Sequence, residues 1–340
     1  MQVRRIDVGD DAQMKRFHQI TEVADTYQRP WCTQWSLDEL LVEVRNQDES
    51  SRWELLGAFE DDEMVGAGLV ILPLLDNVDK VYSGVFVEPG LRRQGIGSVL
   101  VDEVVATARD EGRSCVLSDT GVPGEERETH PYVAFARKHG FATASVEVHR
   151  VLDLPLPVAE LEAMQSECAP HHRDYELRTF HDRIPDELLE SYCYLSNQLA
   201  LDAPSGDIDY EAEAGTPELY KQHMERMRKS GRHQVTTLAV GKEGEAVAVT
   251  DLVIPQADPP KVYQYATLVR RDHRGNRLGA AVKLQNLLAL QETFPERTEI
   301  HTTNEETNVT MIGINERLGF RIVEVCPEFQ LKLHDRVGAA

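Results

Sequence analysis

The sequence is short of several things that would place it in a class at once. Basic charge is scarce: 36 Lys and Arg stand against 58 Asp and Glu in 340 residues, a formal net charge of −22. A protein that neutralises a nucleic-acid backbone needs a basic face, so no nucleic-acid partner is expected, and an anionic membrane surface is disfavoured for the same reason. No window approaches the roughly 18 uninterrupted apolar residues of a membrane span, and the opening MQVRRIDVGDD lacks the apolar stretch of a secretory signal. Cys32, Cys115, Cys168, Cys193 and Cys326 are odd in number and never in CxxC spacing. Neither a disulfide framework nor a metal site is therefore expected, and a reducing, cytoplasmic compartment is. GxxxxGK[ST] and the dinucleotide GxGxxG are both missing, which withdraws support from NTP hydrolysis and hydride transfer.

What is present is an ordinary globular composition, 41% apolar and 28% charged, over a length that suggests two domains at about 150 residues each. The chain also repeats itself. Lys80-Val81-Tyr82 recurs as Lys261-Val262-Tyr263, Arg92 of RRQGIG as Arg274 of RGNRLG, and Gly140-Phe141 as Gly319-Phe320, at offsets of 181, 182 and 179. Three anchors in one order at nearly constant spacing imply two copies of one domain.

Each copy reads as an antiparallel meander of three strands: Trp53–Glu60, Val65–Leu72 and Lys80–Val87, then Thr237–Gly241, Ala246–Ile254 and Lys261–Val269. A glycine-bearing loop and an amphipathic helix follow, with Leu100, Val101, Val104, Val105 and Ala108 on one face in the first copy. Ala280, Ala281, Leu284, Leu287 and Leu288 do the same in the second. A strand, a helix ending at Gly140 or Gly319, and a last strand complete each copy. The domains are expected at 1–153 and 176–340, with a linker over 154–175. The fold class is α/β with a mixed, mostly antiparallel sheet flanked by helices in each domain.

The loop Val87-Glu-Pro-Gly-Leu-Arg92-Arg93-Gln94-Gly95-Ile96-Gly97-Ser98 leaves a strand and opens a helix, where amide donors and the positive end of the helix dipole converge on an anion site. Strand, RxxGxG, helix, strand, helix and Gly-Phe is the order of the GCN5-related N-acetyltransferases (GNAT), and both halves of the chain resemble it, as a tandem pair. That resemblance implies loop amides holding the pyrophosphate of acetyl-CoA, a splayed strand admitting the pantetheine arm, and an amine attacking the thioester. The cofactor contacts it implies are Phe86, Val87, Arg92, Arg93, Gln94, Gly95, Ile96, Gly97 and Ser98 in the first copy. In the second they are Leu268, Val269, Arg274, Gly275, Asn276, Arg277, Leu278, Gly279, Asn304 and Asn308.

Both copies depart from the family pattern. Arg277 stands where the first loop glycine belongs; its amide still donates if the backbone there stays helical, and four arginines between Arg270 and Arg277 read as a phosphate cradle. The tyrosine that protonates the departing thiolate in the family is missing from both: its place is Ala136 in the first copy and Asn315 in the second. The asparagines of the second copy favour it as the catalytic half, the first being structural or a second CoA-binding domain. Tyr263, Tyr265 and Thr267 share a strand face by alternation, so Tyr265, Thr267 and Asn315 are the catalytic candidates, with Asp251 and His301 as further candidate bases.

The function expected is acetyl-CoA-dependent N-acetyl transfer to a small primary amine, a cationic one suiting the acidic composition, by a monomer or homodimer. The alternatives are a catalytically silent CoA-binding scaffold and a transferase like mycothiol synthase.

Overall fold

A computed structural model describes residues 1–333 and divides them into two units: 1–147 with 205–210 and 324–333, and 148–204 with 211–323.

Unit 1 opens with β1 (Gln2–Arg5), α1 (Asp11–Thr26) and α2 (Leu37–Arg45). Helix α1 starts where the Asp10 carboxylate accepts from the amides of Ala12 and Gln13, supplying the acceptor that a helix N-terminus lacks. Met14, Phe17 and Ile20 recur at helical spacing and pack with Leu55, Phe59, Met64 and Ala67 in one core. Then come β2 (Ser51–Glu60), β3 (Glu63–Pro73), β4 (Lys80–Phe86), α3 (Ile96–Asp110), β5 (Cys115–Asp119), α4 (Pro131–Lys138) and β6 (Ala142–Asp153). The sheet runs β1-β2-β3-β4-β5, antiparallel except between β4 and β5.

Unit 2 takes the Val148–Asp153 end of β6, then α5 (Val158–Cys168), β7 (Glu176–His181), α6 (Asp186–Asp202) and α7 (Pro217–Lys229). It continues through β8 (Arg232–Val240), β9 (Ala246–Pro255), β10 (Lys261–Val269), α8 (Leu278–Thr293), β11 (Glu299–Glu305) and α9 (Val309–Leu318). Its order is β7-β8-β9-β10-β11, again antiparallel except for the β10–β11 pair. Leu161 and Cys168 of α5 join Leu284, Leu287 and Leu290 of α8 in its core.

The mixed, mostly antiparallel sheet and the tandem arrangement are as the sequence implies, but the boundaries differ. The last strand, β12 (Arg321–Lys332), does not close the second copy: its Glu328–Lys332 stretch runs antiparallel to Asp119–Cys115 of β5 in unit 1. Alternation along a strand fixes which residues face a core, not which strand lies alongside, so the exchange is invisible to pattern reading. Residues 154–175, expected as a linker, hold α5 within unit 2. The prolines that suggested a linker include Pro157, which immediately precedes the helix.

In both units the parallel pair is short. β4 meets β5 only where Lys80–Tyr82 lie opposite Cys115–Leu117, and β10 meets β11 only where Lys261–Tyr263 lie opposite Glu299–His301. The repeated Lys-Val-Tyr tripeptides are these paired segments. Beyond them β4 runs on to Phe86 and β10 to Val269 without their parallel neighbours, which leaves a wedge leading to each loop.

Candidate active site

Both loops adopt one backbone path. Arg92 and Arg274 are extended (φ −66° in each) and the next residue has positive φ, Arg93 at 67° and Gly275 at 85°. Two residues later a left-handed residue precedes the helix, Gly95 at 92° before α3 and Arg277 at 53° before α8. Each loop therefore has two left-handed positions, one filled by glycine and one by arginine, in opposite order. Arg277 is not helical, contrary to the condition set by the sequence reading. A side chain in that conformation costs roughly 1–2 kcal/mol, which the rest of unit 2 offsets. The amides of Arg93–Gly97 and Gly275–Gly279 donate no hydrogen bond to the described residues, as first-turn donors at a helix start do not. Free amides at a helix start are suited to take an anion. Ile96 and Leu278 are buried in the cores and contribute their amides alone.

Apart from the exposed Arg93, the loop arginine side chains are spent on the protein. Arg92 donates to the Val87 carbonyl (3.0 Å), the Tyr132 hydroxyl (2.9 Å) and the Ala24 carbonyl (3.1 Å). Arg274 mirrors it, reaching the Val269 carbonyl at 3.1 Å and Asp202 at 2.7 Å. Arg270 is clamped on Asp272, Arg271 shares Asp202, and Arg277 donates to the Glu167 carbonyl. These residues shape the loop from behind, which replaces the side-chain phosphate cradle read from the sequence. Asn276 likewise serves the loop itself, donating to the His273 carbonyl at 3.0 Å. Ser98 sits 3.1 Å from His139 Nε2, and Phe86 packs against the core under α1. Gln94 lies exposed in the loop.

Only the second unit's splayed strand is bulged. Tyr265 and Ala266 together oppose Asp251, between the Gln264–Leu252 and Thr267–Thr250 pairs, whereas β4 keeps a regular register from Ala67–Phe86 to Ile71–Tyr82. The freed backbone is met by buried side chains. Gln264 Nε2 donates to the Asp251 carbonyl at 2.7 Å, and Asn286 Nδ2 donates to the Thr250 carbonyl at 3.1 Å. Thr267 is taken up here: its hydroxyl lies 2.8 Å from that of Thr250. Tyr265 stands out into solvent, 58% exposed. Asp251 accepts from Thr236, Gln234 and Tyr192, yet its burial pushes the carboxyl up to about 6. His301 pairs with His149, Nδ1 to Nε2 at 3.0 Å.

The asparagines sort into different roles. Asn308 caps α9, accepting from the Met311 amide at 3.3 Å. Asn315 is fully buried; its Oδ1 accepts from Lys283 Nζ at 2.9 Å and its Nδ2 donates to Asn304 Oδ1 at 2.7 Å. Lys283, 1% exposed on α8, escaped the sequence reading, although its helical spacing from Ala280 and Leu287 put it on the apolar face. Burial pulls its ammonium down to about 7. Val269 packs against Leu278, while Leu268 lies in the core beneath α6. Leu268 also borders a groove of about 780 Å³ along α6, lined by Glu187, Glu190, Tyr194, Glu243 and Arg270.

Comparison with known proteins agrees with this architecture. Residues 16–141 match the model of the Acetyltransferase (GNAT) family. Over 97% of its length the chain superposes on 98% of a tandem GNAT protein from the clavulanic acid biosynthesis pathway, with a TM-score of 0.75 and 22% identity. A GCN5-related N-acetyltransferase from Sphaerobacter thermophilus follows with a TM-score of 0.62 and 15% identity, over 97% of this chain and 95% of that one. A GCN5-related glucosamine N-acetyltransferase region of a fungal multi-domain β-N-acetylglucosaminidase gives 0.64 and 14% identity, over 97% of this chain and 38% of that one. No curated protein sequence matches the chain.

Proposed function

We propose that the chain is a tandem GNAT acetyltransferase and that it transfers an acetyl group from acetyl-CoA to a small cationic amine, with the chemistry in unit 2. The observation that carries this is the pairing of an amide-lined helix start with a strand that leaves its parallel neighbour after three residues. The wedge accepts an extended thioester arm while the amides of Gly275–Gly279 take the anionic end, the chemistry a CoA thioester supplies when bound. Rate then comes from holding a neutral amine against the thioester carbonyl, the amine losing its proton as the thiolate departs.

Unit 2 is favoured by its bulge: Tyr265 stands exposed from the splayed strand, with Thr267 anchored behind it. Tyr265 is the side chain placed to meet the acceptor, whereas Thr267 and Asn315 support the wall from behind it. The groove beside α6 brings more carboxylates than arginines, which suits a cationic acceptor; an amino sugar, as named for the fungal relative, is one such amine. Five free cysteines, four of them buried, accord with work in a reducing compartment.

A second reading places the chemistry in unit 1, where the family model matches and Gly95 fills the helix-adjacent left-handed position without strain. The test is thiol release from acetyl-CoA with a panel of mono- and polyamines, in the intact chain and in Gly97→Asp and Gly279→Asp variants. Loss of turnover in Gly279→Asp alone supports unit 2, and loss in Gly97→Asp alone transfers the activity to unit 1. Binding without turnover by the unmodified chain makes it a silent CoA-binding protein.

A further inference from the structure

We propose that Lys283, acting through Asn315, fixes Asn304 as a hydrogen-bond donor facing the β10–β11 wedge, where it takes a carbonyl oxygen of the acyl-pantetheine arm. The proposal rests on the reading of unit 2 as the thioester site and assigns that site a positioning residue.

The three side chains form a chain with a direction. Lys283 Nζ donates to Asn315 Oδ1, the one arrangement open to the charged lysine, and Asn315 Nδ2 is then the atom that faces Asn304. Asn315 Nδ2 in turn occupies Asn304 Oδ1. What remains of Asn304 is its NH2 group, which has no other partner among the described residues and belongs to a half-buried side chain. Asn304 lies on β11 three residues past His301, the last residue paired with β10, so it stands in the wall of the wedge. The chain begins on α8, the helix whose first turn supplies the anion-binding amides, and crosses α9 to reach β11. One end of an extended ligand and its middle are thereby held by a single set of elements.

The lysine is a poor choice for packing alone. It is fully buried with no carboxylate partner among the described residues, the Phe320 ring lies 5.5 Å from Nζ, and desolvation is the cause that lowers its basicity. Burying an amine without a counter-charge costs stability, and an apolar residue of similar length would fill the space without that cost. What methionine could not do is dictate the orientation of two amides. Hydrogen bonds in series also polarise one another, which strengthens the terminal donor.

The test compares Lys283→Met, Lys283→Gln, Asn304→Ala and the Lys283→Met/Asn304→Ala pair in the full chain, each checked for folding by thermal unfolding. Lys283→Met and Asn304→Ala should each raise the KM for acetyl-CoA about 3- to 10-fold, the worth of one hydrogen bond, with kcat within twofold. The pair should be no worse than Asn304→Ala alone, and Lys283→Gln, which keeps a donor, should recover most of the loss. Additive losses, or an unchanged KM in Asn304→Ala, would overturn the proposal. A cofactor-free readout separates it from the reading beneath it: the Asn304 side-chain amide resonances should move in Lys283→Met. If they stay, the lysine does not orient the asparagine. If they move and acetyl-CoA fails to bind unit 2, the orientation stands and the assignment of its ligand falls with the thioester reading.

Discussion

Arg274 and Asp202 tie the second loop to the end of α6: Arg274 Nη2 donates to Asp202 Oδ2 at 2.7 Å while its Nε reaches back to the Val269 carbonyl. Arg92 repeats the device in unit 1, with the Ala24 carbonyl near the end of α1 in the place of the carboxylate. In each unit an arginine side chain binds strand end to helix end and leaves the loop amides for a ligand. Asp202 is 3% exposed and serves Arg271 as well.

Asp202→Ala should therefore loosen the second loop and leave the first untouched. Because both arginines remain partly solvated, the stability loss should be modest, about 1–2 kcal/mol, and the affinity of unit 2 for CoA should drop severalfold. Thermal unfolding together with calorimetric titration of CoA reads both effects. Unchanged affinity would show that the arginine anchor does not govern the amides.

The inverted order of glycine and arginine in the two loops predicts opposite responses to substitution. Arg277→Gly removes a side chain from a left-handed position and should stabilise unit 2 by up to about 1 kcal/mol, the lost contact to the Glu167 carbonyl being exposed. Gly95→Ala puts strain into the equivalent place and should destabilise unit 1 by a similar amount. Paired denaturant titrations check the signs.

Much of this site is legible in the sequence because glycine and helix starts are local. The two arginine- and glycine-bearing loops, the strands around them and the exclusion of dinucleotide chemistry follow from a dozen residues each. What stays hidden is set by distant partners. Nothing in the sequence says that Arg92 and Arg274 are tied to the protein behind the loop, because their acceptors, Ala24 and Asp202, lie about 70 positions upstream. Nor does alternation reveal the bulge at Tyr265–Ala266, since the burial pattern of β10 keeps its period of two across it. Lys283 is a different failure: its position on the apolar face was readable, and a charge there is itself the signal.

That buried amine also predicts a pH dependence independent of catalysis. Its folded pKa, about 7, lies below the usual 10.5, so between these values the unfolded chain holds a proton that the native chain has released. Stability contributed by this group therefore rises from pH 7 toward pH 10, and the burial penalty is full below pH 7. Lys283→Met should be more stable than the parent at pH 6 by several kcal/mol, and the gap should close by about 1.4 kcal/mol per pH unit above 7. Urea midpoints for the two proteins from pH 6 to pH 9 measure this, and parallel curves would count against a depressed lysine.

The exchange of the last strand bears on how the chain is made. Strand β5 receives its neighbour from Glu328–Lys332, so the sheet of unit 1 waits for about 180 further residues after Glu147 has left the ribosome. At ordinary translation speeds that interval is on the order of ten to forty seconds. Until it ends, the nascent first unit presents an unpaired strand edge to whatever else is nearby, so its exposure to chaperones and to aggregation is timed by synthesis of the second copy.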